Sequence, residues 1–186
     1  MLIAFLHLLV LLICILGFSG LLKIFLYGQK KLIITNIDFI YGYSFLIFIS
    51  ILLNFFIPLS KSVVFFFIIG ISSFSYFFYK KNYRLNFLNL SLISFFLIFI
   101  AHEQGIAYDS QLYHLQTIQL ISDFKIIFGI GNLQPHYGMN SSWHNFLSFI
   151  NNTYTQVNLI YLANISLFCF FINEIFKKKF KLDRNL

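Results

Sequence analysis

Charge is what this sequence has least of: only 10% of its 186 residues are Asp, Glu, Lys or Arg. An ordinary soluble domain carries roughly 25%, so a solvated globular surface of the usual kind is excluded. Cysteine is almost absent too. Cys14 and Cys169 both fall inside apolar runs and read as buried packing residues rather than a disulfide or a metal pair. No internal repeat, Pro/Ser-rich linker or soluble domain is visible along the chain.

Apolar residues fill the space that charge leaves. They make up 59% of the chain, and the mean hydropathy is +0.82. Long apolar runs separated by short polar joints predict an all-α fold, a polytopic helical membrane protein with about five transmembrane helices. The 27 Phe residues are a compositional bias and carry no functional reading. Residues 2–22 form the first expected span, since a helix crossing ~30 Å of hydrocarbon needs about 20 residues. That run lacks a basic start and a small-residue cleavage site, so a signal peptide is not expected. Further spans are expected over residues 39–59, 62–79, 86–101 and 156–176. Ser60 and Lys61 form the tight joint that makes a hairpin of the second and third.

The 13 Lys and Arg residues orient these spans. Eleven of the 13 lie after spans one, three and five or at the inner end of span one, among them Lys30, Lys80, Lys177 and Arg184. Only Lys61 and Lys125 fall on the other side. The basic side is the cytoplasmic one, which puts the N-terminus outside and the C-terminus in the cytoplasm of a cell with an inner (cytoplasmic) membrane. The formal charge of +7 is therefore a topology signal, not a nucleic-acid footprint. Three segments follow: a four-span region (1–101), an outer loop (102–155), and a fifth helix with a basic tail (156–186).

The outer loop holds the polar chemistry. "AHEQGIAYDSQLYH", residues 101–114, contains two of the chain's 6 acids and two of its 5 histidines. From Asp109 onward, Leu112, Leu115, Ile118 and Ile121 recur every three positions. Asp109, Tyr113, Gln116 and Thr117 fall on the opposite side, which predicts an amphipathic helix lying on the outer membrane surface. Asp109 would be its N-cap, and equally a carboxylate held at headgroup depth. The second polar stretch is "GIGNLQPHYGMNSSWHN", residues 129–145. Its glycines let backbone amides approach an oxyanion, where they are not simply turn residues, and Asn132, Asn140, Ser141 and Ser142 can donate to phosphate or sugar oxygens. His136 and His144 can neutralise a phosphate, or join Glu103 and Asp109 around a divalent cation. No HxxxH or HExxH spacing supports a metal site. Tyr137 and Trp143 read as interface anchors. "SSWHNFLSFINN", residues 141–152, is too short to span and is expected to lie in the interface.

These two stretches, D-x-x-x-Y-H-x-Q and then G-x-x-N-L-x-x-x-x-G-x-N-S-S-W, resemble a bacterial family of polytopic membrane proteins. That family in turn resembles membrane glycosyltransferases of the GT-C type. The resemblance covers residues 101–145. It implies transfer from a sugar carried on a polyprenyl phosphate, with Asp109 as the catalytic acid position and His114 beside it. Tyr113, Gln116, Asn132, Gly138, Asn140, Ser141, Ser142 and Trp143 match the rest of the two motifs, which implies substrate contacts there, while Glu103 and His136 are further candidate substrate contacts on the residues themselves. GT-C enzymes place their acidic loop after the first span, whereas four spans precede it here. The resemblance then implies extra leading helices and a chain that is the N-terminal part of a longer enzyme.

Two other classes remain open on the residues alone. A transporter or flippase fragment would carry ionisable groups at mid-membrane, and the expected spans hold few: His7, Lys23 and Glu174. A non-catalytic assembly subunit would use the loop to dock a membrane-protein partner. Membrane lipids and a lipid-linked sugar donor are the expected partners on the leading reading, and nucleic acid is not.

Overall fold

A computed structural model describes residues 1–28, 32–83, 85–102, 114–133, 135, 141–150 and 161–182. Within them the fold is all-α. The described residues include eight α-helices of defined bounds: α1 (Leu2–Tyr27), α2 (Phe39–Asn54), α3 (Val63–Tyr79), α4 (Phe87–His102), α5 (Leu115–Asp123), α6 (Ile130–Leu133), α7 (Ser142–Ile150) and α8 (Tyr161–Leu182). Short 3-10 turns at Asn36–Asp38 and Leu59–Lys61 lead into α2 and α3. The only β feature among the described residues is a single bridge between Ile34 and Tyr83.

The helices follow the apolar runs, and their ends follow local chemistry. Helix α1 continues past residue 22 to Tyr27, because Gly28 stops it: that glycine sits at φ 73 and its N–H bonds to Ile24 O at 2.8 Å. A positive φ of this kind suits Gly, which has no β-carbon to clash. Helix α2 ends at Asn54 rather than near residue 59, with Pro58 in extended conformation ahead of the next turn. Helices α1 and α2, the latter with its leading turn from Asn36, are long and apolar enough to cross a membrane. Val63–Tyr79 and Phe87–Ala101 are shorter apolar helices.

The chain divides into two compact units. The first comprises Met1–Phe45, Phe67–Glu103 and Tyr161–Leu186. In it α4 packs on α8 and on α1, and α1 also meets α8. Glycine decides how closely these helices approach. A β-carbon at Gly17 would overlap the backbone carbonyl of Gly70, and one at Gly42 would overlap the carbonyl oxygen of Ile15. Helix backbones therefore touch where side chains would hold them apart. Cys14 and Cys169 are both buried and free, with Cys14 lying against Gly70 and Cys169 Sγ 3.4 Å from Ser94 Oγ. Buried serines return their hydroxyls to their own helix, Ser19 to Ile15 O at 2.8 Å and Ser94 to Leu90 O at 2.7 Å.

A polar knot closes one end of this unit. Asp38 Oδ2 accepts from Thr35 N–H at 2.7 Å and Thr35 Oγ1–H at 3.0 Å, and pairs with Lys23 Nζ at 2.9 Å. Lys23 also donates to Ile33 O at 2.7 Å. Next to it, Asn173 Nδ2 donates to Asn36 Oδ1 at 3.0 Å, tying α8 to the same turn.

The second unit comprises Leu46–Phe66 and Gln104–Ile160. Here α5 packs on α7, and both pack on the Leu59–Lys61 turn. Every residue from Asn145 to Ile150 on α7 is buried, with Phe66 set edge-on to Phe149 at 5.1 Å.

Because Gly42 faces a carbonyl, Gly42→Ala is expected to lower stability by about 1–3 kcal/mol, the usual penalty of overpacking. Thermal unfolding in detergent checks this against Phe96→Leu, a change at a side chain that is 62% exposed. Equal melting for the two variants contradicts the close packing.

Candidate functional site

Helix α5 carries the first half of the site. The described helix is amphipathic, as expected, but its buried side is not purely apolar. Thr117 and Ser122 are buried with Ile118, while Gln116 and Gln119 are exposed. Thr117 was expected on the polar, outward side. It is inward because α5 is covered by α7 and the Leu59–Lys61 turn, and because Thr117 lines a cleft.

That cleft has a volume of about 350 Å³. Its wall includes Ile121, Phe124, Ile126 and Ile130, and its polar groups come from Asn54, Thr117, Lys125 and Asn132 beside the Gly129–Gly131 backbone. Asn54 shapes it. Its Nδ2 donates to Ile121 O and Phe124 O, each at 3.1 Å, and its backbone carbonyl accepts from Ile126 N–H at 2.8 Å. One side chain at the end of α2 thus satisfies carbonyls left open where α5 stops. Gly129 takes φ 81, and its carbonyl accepts from Asn132 N–H at 2.9 Å, which turns the chain into α6. At the cleft mouth Phe124 is 55% and Phe128 82% exposed.

Helix α7 supplies the second half. Ser141 Oγ accepts from Trp143 N–H at 3.2 Å, a cap of the kind serine provides at a helix start. Ser142 is exposed, and Trp143 is half-buried with its ring 5.2 Å from Phe146. Ser148 Oγ lies 2.8 Å from Ile118 O and 2.7 Å from His144 O, so it fastens α7 to α5. Above it His114 Nδ1 and His144 Nε2 approach to 3.2 Å, with ring centres 5.1 Å apart. Burial, and then the neighbouring His114, hold the His144 imidazole below its ordinary pKa.

Buried polar atoms without a partner concentrate here. Among the described residues Ser122 Oγ, His144 Nδ1 and Asn145 Oδ1 are three of the four. Since native proteins satisfy most such groups, their gathering on α5 and α7 marks this unit as the chemically unusual one.

The structure therefore brings His114, Ser141, Ser142, Trp143, Gln116 and Asn132 into one unit. Glu103, Asp109, Tyr113, His136 and Asn140 lie outside the described residues, as does the expected N-cap at Asp109. No group of three His, Cys, Asp or Glu able to hold a metal occurs among the described residues. Asn54 and Lys125 were not expected as site residues. A lone Asn ending an apolar helix, and the single Lys of the outer loop, were the available signals.

The chain matches, over residues 1–186, a family described as a domain of unknown function (DUF8201). No curated protein and no solved structure matches it.

Removing the Asn54 clamp by Asn54→Ala leaves two carbonyls unsatisfied and is expected to destabilise this unit by about 1–3 kcal/mol. Hydrogen exchange over residues 121–126 checks this, with faster exchange there as the expected outcome and unchanged rates as the contrary one.

Proposed function

The chain belongs to the DUF8201 family along its whole length, and from its own residues we propose a membrane glycosyltransferase-like protein, or the N-terminal part of one. It uses a sugar carried on a polyprenyl phosphate at the outer face of the cytoplasmic membrane. The observation that carries the reading is the cleft of the second unit, with an apolar wall beside Lys125, Asn132 and glycine backbone. An apolar wall suits a prenyl tail, and an ammonium with backbone and side-chain amides suits a phosphate.

Membrane insertion is supported by which side chains face outward. Phe25, Phe48, Phe65, Phe96 and Phe168 are all at least 59% exposed, while Ser19, Ser50, Ser94 and Ser166 are buried. Large apolar side chains outside and small polar ones inside suit lipid as the surroundings better than water. The distribution of Lys and Arg supports a cytoplasmic C-terminus and an outer loop over residues 102–155.

In the proposed reaction the acceptor hydroxyl attacks the anomeric carbon and loses its proton to Asp109 as general base. The bond from that carbon to the phosphate oxygen breaks, and the phosphate leaves with the electron pair. Lys125, His114 and loop amides receive its charge.

Asp109→Asn is expected to cut transfer from a polyprenyl-phosphate sugar by roughly 10²–10⁴-fold while membrane insertion stays normal. The check is a transfer assay on vesicles alongside quantification of the inserted protein. Near-normal transfer by the variant removes Asp109 as the base.

A further inference from the structure

We propose that the end of α3 and the start of α4 form a binding site for an acidic phospholipid, with Lys81 meeting the phosphate and an aromatic slot taking one acyl chain. The site rests on the reading above only for its membrane placement, with the basic side in the cytoplasm. Glycosyl transfer plays no part in it.

The backbone at Lys81 is the first observation. Asn82 N–H donates to Phe77 O at 3.1 Å and Lys81 N–H to Phe78 O at 3.0 Å, the two bonds of a Schellman turn closing α3. The turn holds Lys81 at φ 56, and it is the only non-glycine residue at positive φ among the described residues. Glycine is the usual occupant of that position, because a β-carbon is strained there. The turn is pinned from its far side as well, since Asn82 O accepts from Ile34 N–H at 2.8 Å. A lysine kept at a strained position that suits glycine points to a use for its side chain.

The slot is the second. Lys81 and the rings of Phe74, Phe78, Tyr83 and Phe87 line a cavity of about 550 Å³, within the roughly 300–1,000 Å³ of ordinary ligand sites. The rings hold one another in place. Phe74 lies 4.8 Å from Tyr83 and 5.7 Å from Phe87, which is also 5.7 Å from Phe78 between ring centres. Tyr83 Oη donates to Leu16 O on α1 at 3.3 Å. The result is a preformed apolar wall with an ammonium at its edge.

A lysine at a helix end commonly offsets the partial negative charge of the last carbonyls. Lys80 can do that from the last turn of α3 without a left-handed backbone. Its Nζ stands 6.0 Å from the Tyr76 ring, and it lines a separate, smaller cavity beside Asn82. The two lysines thus face different surroundings, and only Lys81 borders the aromatic slot.

Charge and place name the occupant. Eleven of the 13 Lys and Arg residues gather on this side of the expected spans, and the cytoplasmic leaflet is the one whose acidic lipids attract basic groups. Basic pockets between helices on that side take anionic headgroups. An acyl chain fills an aromatic slot, while a zwitterionic headgroup would bring its own cation towards Lys81.

The test uses the full chain in nanodiscs of phosphatidylcholine, with and without phosphatidylglycerol, read by native mass spectrometry and thermal unfolding. Wild type is expected to retain phosphatidylglycerol in preference to phosphatidylcholine and to melt higher when it is present. Lys81→Gly relieves the strained φ, so it is expected to melt no lower than wild type in phosphatidylcholine alone. Its retention of phosphatidylglycerol is expected to fall about five-fold, one lysine's attraction to an acidic headgroup. Lys80→Gln is expected to keep the preference. Equal retention by wild type and Lys81→Gly overturns the proposal, as does an equal loss in Lys80→Gln, which would mark diffuse surface charge. Inorganic phosphate that raises the melting temperature as much as phosphatidylglycerol does overturns it too, because the slot would then be idle. Carbonate extraction separates the two readings. A chain released from its membranes removes the membrane placement and this site with it, whereas a chain that stays inserted without preferring phosphatidylglycerol removes this site alone.

Discussion

The carboxylate of Asp38 is the point on which the first unit turns. One oxygen takes the Lys23 ammonium and two donors from Thr35, so the end of α1, the connecting turn and the start of α2 meet at a single atom. Lys23 and Asp38 keep only 17% and 11% of their side-chain surface. A charge so nearly buried is tolerated only when it is paired and hydrogen-bonded. Loss of either partner would leave the other stranded, which makes the pair a constraint on geometry more than a source of stability. With that end held, Gly42 on α2 can lie against the backbone of α1, and Asn36 can receive α8 through Asn173.

The two units are held together internally by different physics. The first relies on glycine-mediated backbone contact, on buried aromatic rings such as Phe39 stacked on Phe170, and on serines that satisfy themselves within their helices. The second relies on amphipathic helices and on polar clamps: Asn54 at the turn after α5, Ser148 between α5 and α7, and Ser141 at the start of α7. Dense packing with one buried polar atom left without a hydrogen bond among the described residues, Glu174 Oε2, suits a scaffold. Polar groups left without partners, in the unit that also holds a cleft, suit a place where a ligand completes the hydrogen bonding.

Much of the helical layout was legible because apolar runs of 16 residues or more leave few alternatives to a helix. The ends were less so. Lys23 looked like the boundary of the first helix because it is charged, yet the helix passes through it, since Asp38 neutralises the ammonium from a turn further along the chain. Asn54 looked like an interior residue of a longer span, and its partners Ile121 and Phe124 are too distant in sequence for any local pattern to reveal. Thr117 was misplaced for a related reason. Its polarity suggested the outer side of α5, but the helix is covered and Thr117 lines the cleft with Leu120 and Ile121. The pairing of His114 with His144 joins residues on different helices, and no spacing rule connects them. Both histidines were nevertheless among the residues singled out for phosphate chemistry. His114 owed its place to its motif, and His144 to its setting among glycines, asparagines and serines.

The most direct test of the central claim is mass spectrometry of the lipids that stay with the protein after gentle purification from its own membranes. A polyprenyl phosphate, with or without a sugar, enriched over the bulk membrane and depleted in a Lys125→Gln variant, is the predicted result. A retained lipid fraction identical to the surrounding membrane in both proteins would contradict it.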